Sequence, residues 1–571
     1  MIRRPRVVVG LLAAAWALFA GLLLTAAAFD LLAGRSAIQS AREHASPSEL
    51  IEGRPLADLR AAHRRLAAGS GRIGHPVLLP LRAMPFVGRQ LRSLRAQARA
   101  GATVADAGAV AVVEARHALD RHEDGLTPKS VLARQLAGVA DDTGRRVGSL
   151  GLGPSRGLIR PIADARNEFA EKLATLRTGL RQGAAGARAM ATLLEGPRRY
   201  LVFAANNAEM RAGSGMFLSV GELEAEADRL RLQDMRSVTS VPVPPGSVPL
   251  EGDLRDRWGW LAPNDEWRNL MLSPRFDAQA PLAAEMWEAT GRPPVDGVLV
   301  LDPFAVQGLL RATGPVEADG RWYSADSVVQ ELLHGQYVRF APEEGEDRRE
   351  QLGRIARATF ELLNAGRWSV ADLARGILPA VRGRHLLAWS AHPREQEDWA
   401  VAGVDGSLRP ESLLVAVLNR GGNKLDQFLE VSSELDVTQA GPDTFFTVRL
   451  TLANNTPGGE PEYIAGPSPG SGLEEGVYAG IVAVSLPGAA EDGRIDGVPE
   501  LAVAGADGPS RVVGAPLQLR RGEQRTVVVR FGLPSREGQM TVEPSARAPA
   551  VRWRSGRLQW ADDSPRVVSW E

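Results

Sequence analysis

Residues 196–221 read GPRRYLVFAANNAEMRAGSGMFLSVG, and this stretch decides the fold of the region around it. An apolar run at 200–204 leads into the polar side chains of Asn206, Asn207, Glu209 and Arg211. A Gly-Ser-Gly turn at 213–215 and a second apolar run at 216–220 follow. Short apolar runs bounded by turn residues are typical of buried strands. The stretch therefore predicts two neighbouring strands with polar side chains at the end that joins them.

Polar side chains beside a glycine turn at strand ends are a common place for ligands in α/β domains. Asn207 and Arg211 are therefore candidate anion-binding residues, because a guanidinium beside open backbone N–H groups can hold a carboxylate or a phosphate. In the alternative interpretation the turn is structural, and the two side chains only satisfy backbone carbonyls. The sequence leaves both interpretations open.

A second polar cluster lies at residues 264–277, NDEWRNLMLSPRFD. Arg268 or Arg275 would join Arg211 in an anion clamp, with Asp265 or Asp277 as an acid or metal partner. Alternatively, Asp277 caps the following helix and the arginines pair with neighbouring acids.

The surrounding pattern alternates strands and helices from residue 196 to residue 425. The apolar run 298–301 lies between two aspartates and is typical of a buried central strand. Helical patterns occur at residues 280–290, 303–312, 325–335, 347–365 and 370–382. Residues 196–425 are therefore predicted to form a central α/β domain with a mixed sheet.

The two flanking regions differ from this domain and from each other. Residues 34–195 are rich in Ala, Arg and Leu at helical spacing, which predicts a helical stalk or bundle. Residues 426–571 contain β-branched and aromatic runs bounded by Gly, Pro, Asn and Asp, which predicts an all-β sandwich. The expected fold class is multidomain α+β, with an N-terminal transmembrane helix.

That helix is predicted from residues 7–29, which carry no charge. As a helix they would be about 35 Å long, enough to cross a hydrocarbon core of about 30 Å. Arg3, Arg4 and Arg6 precede the run, so the positive-inside rule predicts a single-pass protein of the cell membrane. Residues 1–33 would form a cytoplasmic basic tip and an anchor, with the bulk of the chain extracytoplasmic. A cleaved signal peptide is the alternative, although the run is longer than the usual apolar region of one.

The formal net charge of −1 hides an asymmetry along the chain. Residues 1–195 carry +12 and residues 196–571 carry −13. No nucleic-acid partner is expected, because the chain as a whole is not basic. Four arginines in the helical region, Arg89, Arg92, Arg95 and Arg99, share one helix face. This face is either solvated or attracted to anionic lipid or wall polymer.

Motifs of known chemistry are few. The chain has no cysteine, which excludes disulfides, cysteine metal sites and a cysteine nucleophile. Residues 466–470, GPSPG, match the G-x-S-x-G string, but no helix is predicted after them, so a loop is expected instead of a nucleophile elbow. His385 and His392 bracket a predicted strand and are weak metal candidates.

Three ordered blocks resemble the bacterial domain-of-unknown-function family 4012, of actinobacterial type. They are residues 196–223, residues 264–316 and residues 419–429, the last reading NRGGNKLDQFL. The resemblance covers roughly residues 197–430. Because that family has no established activity, the resemblance mainly implies a cell-envelope location.

Residues 297–316, GVLVLDPFAVQGLLRATGPV, are more distantly similar to the LytR-CpsA-Psr phosphotransferases. Those enzymes transfer glycopolymers from a polyprenyl pyrophosphate lipid to wall acceptors, with arginines on the pyrophosphate and an acid-held magnesium. The similarity implies that Arg211 is one pyrophosphate arginine and that Arg275 or Arg268 is the second. It also implies Mg²⁺ as the cofactor, whereas the residues alone predict none.

Two functions follow as expectations. The first is a membrane-anchored envelope protein that binds envelope polymers or partner proteins, without an assigned activity. The second is a transferase acting on a lipid-linked glycan. An anionic wall polymer and a lipid-linked glycan are accordingly the expected partners besides the membrane.

Overall fold

The computed structural model describes residues 4–43, 49, 53–123, 127–233, 235–339, 345–366, 368, 370–468 and 470–570. The chain divides into two compact units, Met1–Thr192 and Leu193–Glu571. The first unit is helical, and the second combines a mixed sheet and helices with two further sheets. This arrangement confirms the predicted α+β class.

The N-terminal unit consists of long helices that pack through small residues. They are α1 (Arg4–Glu43), α2 (Leu56–Ile73), α3 (Pro85–Glu123), α4 (Lys129–Gly148) and α5 (Arg160–Glu195). Helix α2 packs against both α1 and α3. A Cβ atom at Gly34 would lie 2.6 Å from Cγ of Leu66, and one at Gly101 would lie 2.9 Å from its Cδ1. Glycine at both positions therefore lets α1 and α3 approach α2 at the level of Leu66.

Helix α1 contains the predicted anchor. Among the described residues, Ala15–Glu43 is one helix long and apolar enough to cross a membrane, which supports membrane anchoring. The buried carboxylate of Asp30 follows the apolar run and is paired with Arg65 at 3.4 Å and with Arg72. Both arginines lie on α2. Helix α2 therefore supplies the positive charges that compensate the buried carboxylate at the end of the apolar stretch.

The second unit is organised around one mixed sheet. Its strands are β1 (Arg198–Met210), β2 (Gly215–Glu226), β3 (Arg229–Leu232), β4 (Arg236–Ser237), β5 (Gly297–Leu301) and β8 (Leu386–Ser390). Their order is β3-β2-β1-β5-β8, with β4 on β2. Strand β1 runs parallel to β5, and the other pairs are antiparallel. Strand β5 lies inside the sheet between β1 and β8, which agrees with the burial of its first four residues.

Most helices of this region pack on the sheet, whereas the first of them packs against the sandwich described below, and a small hairpin lies beside them. The helices are α6 (Gly252–Trp258), α7 (Phe276–Ala289), α8 (Pro303–Thr313), α9 (Gly345–Ala365), α10 (Val370–Arg382) and α11 (Pro393–Ala402). The hairpin pairs β6 (Val316–Ala318) with β7 (Arg321–Tyr323). The helix expected at 325–335 instead runs over 328–339 with a π-helical turn at Glu331–Gly335.

A sandwich of two six-stranded sheets follows. One sheet has the order β14-β15-β12-β9-β17-β20 and the other β13-β16-β11-β10-β18-β19. The strands are β9 (Ser412–Asn419), β10 (Leu429–Ala440), β11 (Asp443–Asn454), β12 (Tyr478–Pro487), β13 (Glu491–Ile495), β14 (Val503–Asp507), β15 (Ser510–Leu519), β16 (Gln524–Leu533), β17 (Gly538–Val542), β18 (Arg552–Ser555), β19 (Leu558–Ala561) and β20 (Arg566–Trp570). Aromatic side chains such as Phe446, Phe531 and Trp570 pack between the sheets.

One strand of the sandwich lies before the boundary predicted at residue 426. Strand β9 (Ser412–Asn419) pairs with β12 and β17 and so belongs to a sheet of the sandwich. All eight residues of β9 are buried. A strand buried on both faces has the same continuous apolar pattern in an α/β sheet and in a sandwich, which is why the sequence placed it in the central domain.

An apolar cluster joins the mixed-sheet region to the sandwich. Ala212, Trp258 and Leu272 from the first pack against the β9 residue Leu418 and the β12 residue Ile481 from the second. Such a contact resembles a domain core more than a polar, transient interface. Residues 193–571 therefore form one compact unit.

Aspartate–histidine pairs close both ends of the β5/β8 strand pair. Asp296 and Asp302 flank β5, while His385 and His392 flank β8, and the antiparallel register brings them together. Asp302 Oδ2 lies 2.6 Å from His385 Nδ1, and Asp296 Oδ1 lies 2.7 Å from His392 Nε2. The histidines thus have carboxylate partners, and among the described residues no group of three or more His, Asp or Glu could hold a metal ion.

We expect Asp302→Ala to destabilise the start of α8 far more than Asp296→Ala. Asp302 Oδ1 also accepts the N–H groups of Phe304 and Ala305 as the N-cap of α8. Its loss removes a cap worth about 1 kcal/mol and leaves buried donors unpaired at a further cost of about 1–3 kcal/mol. Hydrogen exchange over residues 297–313 should accelerate accordingly. Equal effects from both variants would show that Asp302 has no special role.

Candidate functional site

A bulge at the end of β1 positions the polar residues of the first block. The β1/β2 register shifts between the pairs Asn206↔Met216 and Met210↔Gly215, so the residues between them bulge from the ladder. A Cβ atom at Gly215 would lie 2.3 Å from the carbonyl carbon of Asn206, which requires glycine there. The side chains of the bulge are therefore held at fixed positions by the backbone.

The first candidate, Asn207, lies in a buried network. Its Nδ2 donates to Asp302 Oδ2 and to the backbone carbonyl of Ala546, both at 2.8 Å. The side chain is fully buried. Asn207 thus links β1 to the Asp302–His385 pair and to the C-terminal part of the chain.

Arg211 is also buried, and backbone carbonyls occupy its guanidinium. Nε donates to the carbonyl of Arg268 at 2.8 Å, and Nη1 donates to those of Met210 and Asn419 at 3.1 and 2.8 Å. Burial lowers the pKa of Arg211 to about 10, against the opposing effect of Glu209. These contacts are the ones expected for the carbonyl-satisfying alternative.

The other two candidate arginines lie in different surroundings. Arg268 is half-exposed and pairs with Glu266 at 2.6 Å, and hydrogen bonds from Arg268 help to lower the pKa of that glutamate against the effect of burial. Arg275 pairs with the buried Asp507 of β14 at 3.2 Å. Arg275 therefore joins α7 to the sandwich, and the structure does not bring the three guanidinium groups into one pocket.

The candidate acids have separate partners. Asp265 Oδ1 accepts the N–H of Gly246 at 3.0 Å. Burial raises the pKa of Asp277, while Arg275 opposes that shift and Asp405 adds to it. Neither acid lines the cleft described next.

A cleft of about 560 Å³ lies beside the bulge. Residues from the three ordered blocks and from three further segments, one of them the helical segment 328–339, line it: Ala205, Asn206, Glu209, Met216, Leu218, Ser219, Ser237, Val238, Thr239, Arg268, Pro303, Leu332, Gln336, Tyr337, Gly422, Lys424, Glu462, Tyr463, Gly466, Pro467 and Ser468. Of the candidate residues from the sequence, only Arg268 is among them. The cleft mixes apolar, aromatic and hydrogen-bonding side chains.

Lys424 forms the centre of this cleft. Its Nζ lies 2.7 Å from Glu209 Oε2, 4.9 Å from the centre of the Tyr337 ring and 4.6 Å from that of Tyr463. Asn206 donates to Glu209 at 3.3 Å and to the Tyr337 hydroxyl at 2.8 Å. The lysine and the glutamate are almost completely buried, so each compensates the other's charge.

This cluster was not predicted from the sequence, although two features of the sequence indicate it. Lys424 is one of three lysines in a chain whose other positive side chains are arginines. It also lies inside the third ordered block, 419–429. The aromatic residues Tyr337 and Tyr463 carry no signal of their own, because they come from distant parts of the chain.

The G-x-S-x-G string lies at the edge of the cleft. The Ser468 hydroxyl donates to the carbonyl of Gly422, and among the described residues no histidine contacts it. Nucleophilic catalysis needs a base within hydrogen-bond reach of the hydroxyl. The described residues of this string, 466–468 and 470, lie outside helices and strands, in agreement with the loop prediction.

We expect Glu209→Gln to destabilise the protein by about 3–5 kcal/mol, because it leaves the buried Lys424 cation without its carboxylate. Glu266→Gln is the matched control: it removes the partner of the half-exposed Arg268 and should cost at most about 1 kcal/mol. Denaturant unfolding of both variants checks this. Adding Lys424→Met to Glu209→Gln should restore part of the stability, and equal losses in the two single variants would contradict the assignment.

Part of the chain matches a known protein family. No curated protein sequence matches the chain. Residues 195–337 match the family model described as "Protein of unknown function (DUF4012)". The matched region contains β1, β2, β5 and α8, and so includes one wall of the cleft. The match supports the DUF4012 family for this part of the chain.

Proposed function

We propose that this chain is a membrane-anchored, extracytoplasmic protein of the cell envelope that binds a neutral glycan segment of an envelope polymer in the Lys424 cleft. Helix α1 is the anchor, and the other helices of the first unit lie between it and the cleft residues in the sequence. Binding is the activity, and no chemical step is assigned.

The apolar helix supports the location. Arg3, Arg4 and Arg6 precede the apolar run, and basic residues next to a membrane helix remain in the cytoplasm. The residues after the run then lie on the outer side. The resemblance of three blocks to family 4012 adds to this argument, because that resemblance implies an envelope location.

The aromatic walls of the cleft carry the proposal of glycan binding. The rings of Tyr337 and Tyr463 lie 5.7 Å apart, with the Lys424 side chain beside both. Tyr337 is buried, whereas Tyr463 is 37% exposed and is therefore the ring that is open to a ligand. Tyrosine combines a large apolar face with a polar hydroxyl, which suits a ligand with apolar faces and many hydroxyl groups. Asn206 and Gln336 add polar groups at the same place.

Charge favours a neutral ligand over an anionic one. The cations of the cleft, Lys424 and Arg268, are each paired with a glutamate. Residues 196–571 carry a net charge of −13, which repels polyanions. The transferase alternative receives no support from this geometry, because stabilising a pyrophosphate needs cations aimed at one position.

We expect Tyr463→Ala to weaken the binding of neutral oligosaccharides by about tenfold, since it removes one aromatic wall. The probe is an array of neutral and uronic-acid oligosaccharides, with full-length protein in detergent. Trp322→Ala is the control, because Trp322 is also an exposed aromatic residue but does not line the cleft. The proposal fails if no neutral oligosaccharide binds the unmodified protein, or if Tyr463→Ala binds as tightly.

A further inference from the structure

The connection between α2 and α3 is apolar and exposed. Residues 76–87, PVLLPLRAMPFV, form this connection and the first residues of α3, and we call them the apolar tip. Leu79 is 56% exposed, Met84 49% and Phe86 61%. Exposed apolar groups of this size beside one another mark a contact surface, because isolated apolar residues are normal and clusters are not.

The apolar tip lies alongside the membrane-spanning part of α1. The indole Nε1 of Trp16 donates to the carbonyl of Val77 at 2.8 Å. The ring of Phe19 contacts that of His75, with centroids 6.1 Å apart. Trp16 precedes Asp30 by 14 residues, or about 20 Å of helix. An α1 that crosses a core of about 30 Å therefore places the tip at hydrocarbon depth.

Four arginines, one from the tip itself and three from α3, form a pocket next to the apolar residues of the tip. Arg82, Arg92, Arg95 and Arg99, with Thr103 and residues 149–151, line a cavity of about 370 Å³ that we call the arginine pocket. In the described part of the chain, no carboxylate pairs with any of these four side chains. Three of them belong to the arginine face predicted from the sequence, whereas Arg89 of that face lies against Gly157.

The cations of this pocket are close enough to repel one another. Burial lowers the pKa of Arg95, and the neighbouring charges of Arg99 and Arg82 lower it further. Arg82 Nη1 reaches back to the carbonyl of Gly74 at 3.4 Å, and Arg92 Nη1 to that of Arg82 at 3.2 Å. Carbonyl contacts satisfy donors but leave the positive charges uncompensated, so the pocket favours an anion.

The helix register places the arginine pocket at the end of the apolar run. Gly34 on α1 and Gly101 on α3 both contact Leu66 of α2, so the two glycines lie at one level. Leu91 of α3 and Ala27 of α1 share an apolar cluster, which agrees with this parallel register. Arg95 then lies level with residue 28, just before Asp30. Phosphate headgroups of a bilayer lie at the boundary of the hydrocarbon core, which is this level.

From this arrangement we propose that the apolar tip inserts into the membrane leaflet beside α1, and that the arginine pocket binds the phosphate headgroup of an anionic phospholipid. The inference shares membrane anchoring by α1 with the proposed function, but it does not depend on glycan binding in the other unit. Arginine suits this site because its fork of donors matches phosphate oxygens and its long stem can lie along acyl chains.

Depth measurements test the insertion of the tip. The chain contains no cysteine, so Leu79→Cys and Met84→Cys give single attachment sites for an environment-sensitive fluorophore. Val131→Cys on α4, 39% exposed, is the control. In nanodiscs of phosphatidylcholine and phosphatidylglycerol, lipids brominated on the acyl chain should quench the two tip labels and leave the control label unquenched. Unquenched tip labels with water-like emission would overturn the insertion.

Lipid titration tests the arginine pocket. Full-length protein in detergent is titrated with phosphatidylglycerol, and bound lipid is counted by native mass spectrometry. The variant R92Q/R95Q/R99Q should bind about 100-fold more weakly, because each basic residue near an anionic lipid surface contributes about fivefold. The control R60Q/R64Q/R181Q removes three exposed arginines elsewhere on α2 and α5 and should bind like the unmodified protein.

Competition with inorganic phosphate shows whether the arginine pocket binds a lipid headgroup or free phosphate. The proposal predicts that inorganic phosphate at the same concentration displaces little phosphatidylglycerol, because the acyl chains add contacts with the tip. Complete displacement would show a site for free phosphate and overturn the lipid assignment. Unchanged lipid binding in R92Q/R95Q/R99Q would overturn the arginine pocket. Circular dichroism of both triple variants separates lost binding from lost folding.

Discussion

Asp426 lies where the mixed sheet meets the sandwich, and four donors converge on its fully buried carboxylate. Oδ1 accepts from Arg547 at 2.8 Å and from the Tyr478 hydroxyl at 3.1 Å, while Oδ2 accepts from the N–H of Met210 at 3.0 Å and from Asn419 at 2.9 Å. Burial and Asp426 together raise the pKa of Tyr478 well above its usual value. A buried charge with this many partners is strongly destabilising when one partner is lost. The contact between the two parts of the second unit depends on it.

The cleft depends on the same carboxylate. Glu209 immediately precedes Met210, and Lys424 lies two residues before Asp426. Fixing the backbone at Met210 and Asp426 therefore fixes both members of the buried ion pair at the centre of the cleft. Arg211 adds to this by donating to the carbonyl of Asn419. The polar residues of the ordered blocks thus fix the positions of Glu209 and Lys424 in the cleft.

The sequence predicted the elements whose pattern is local. Strands β1, β2 and β5 and helices α7 to α10 were expected close to where they lie, because apolar periodicity and turn residues mark them directly. It left both possibilities open where a side chain has two chemically equal choices. Arg211 can donate to an anion or to carbonyls, and in the structure it is buried and donates to carbonyls, including that of Asn419. The cluster of Lys424 with Tyr337 and Tyr463 was missed because it joins positions far apart in the chain.

Hydrogen exchange of the full-length protein carrying Asp426→Asn tests the central role of this carboxylate. The account predicts that β1 and β9 lose protection together, by about 3–5 kcal/mol, because Arg547 is left buried without a counter-charge. Asp436→Asn removes an exposed partner of Arg449 in the same sandwich and should leave both strands protected. Loss of protection confined to the sandwich, with β1 unchanged, would contradict the account.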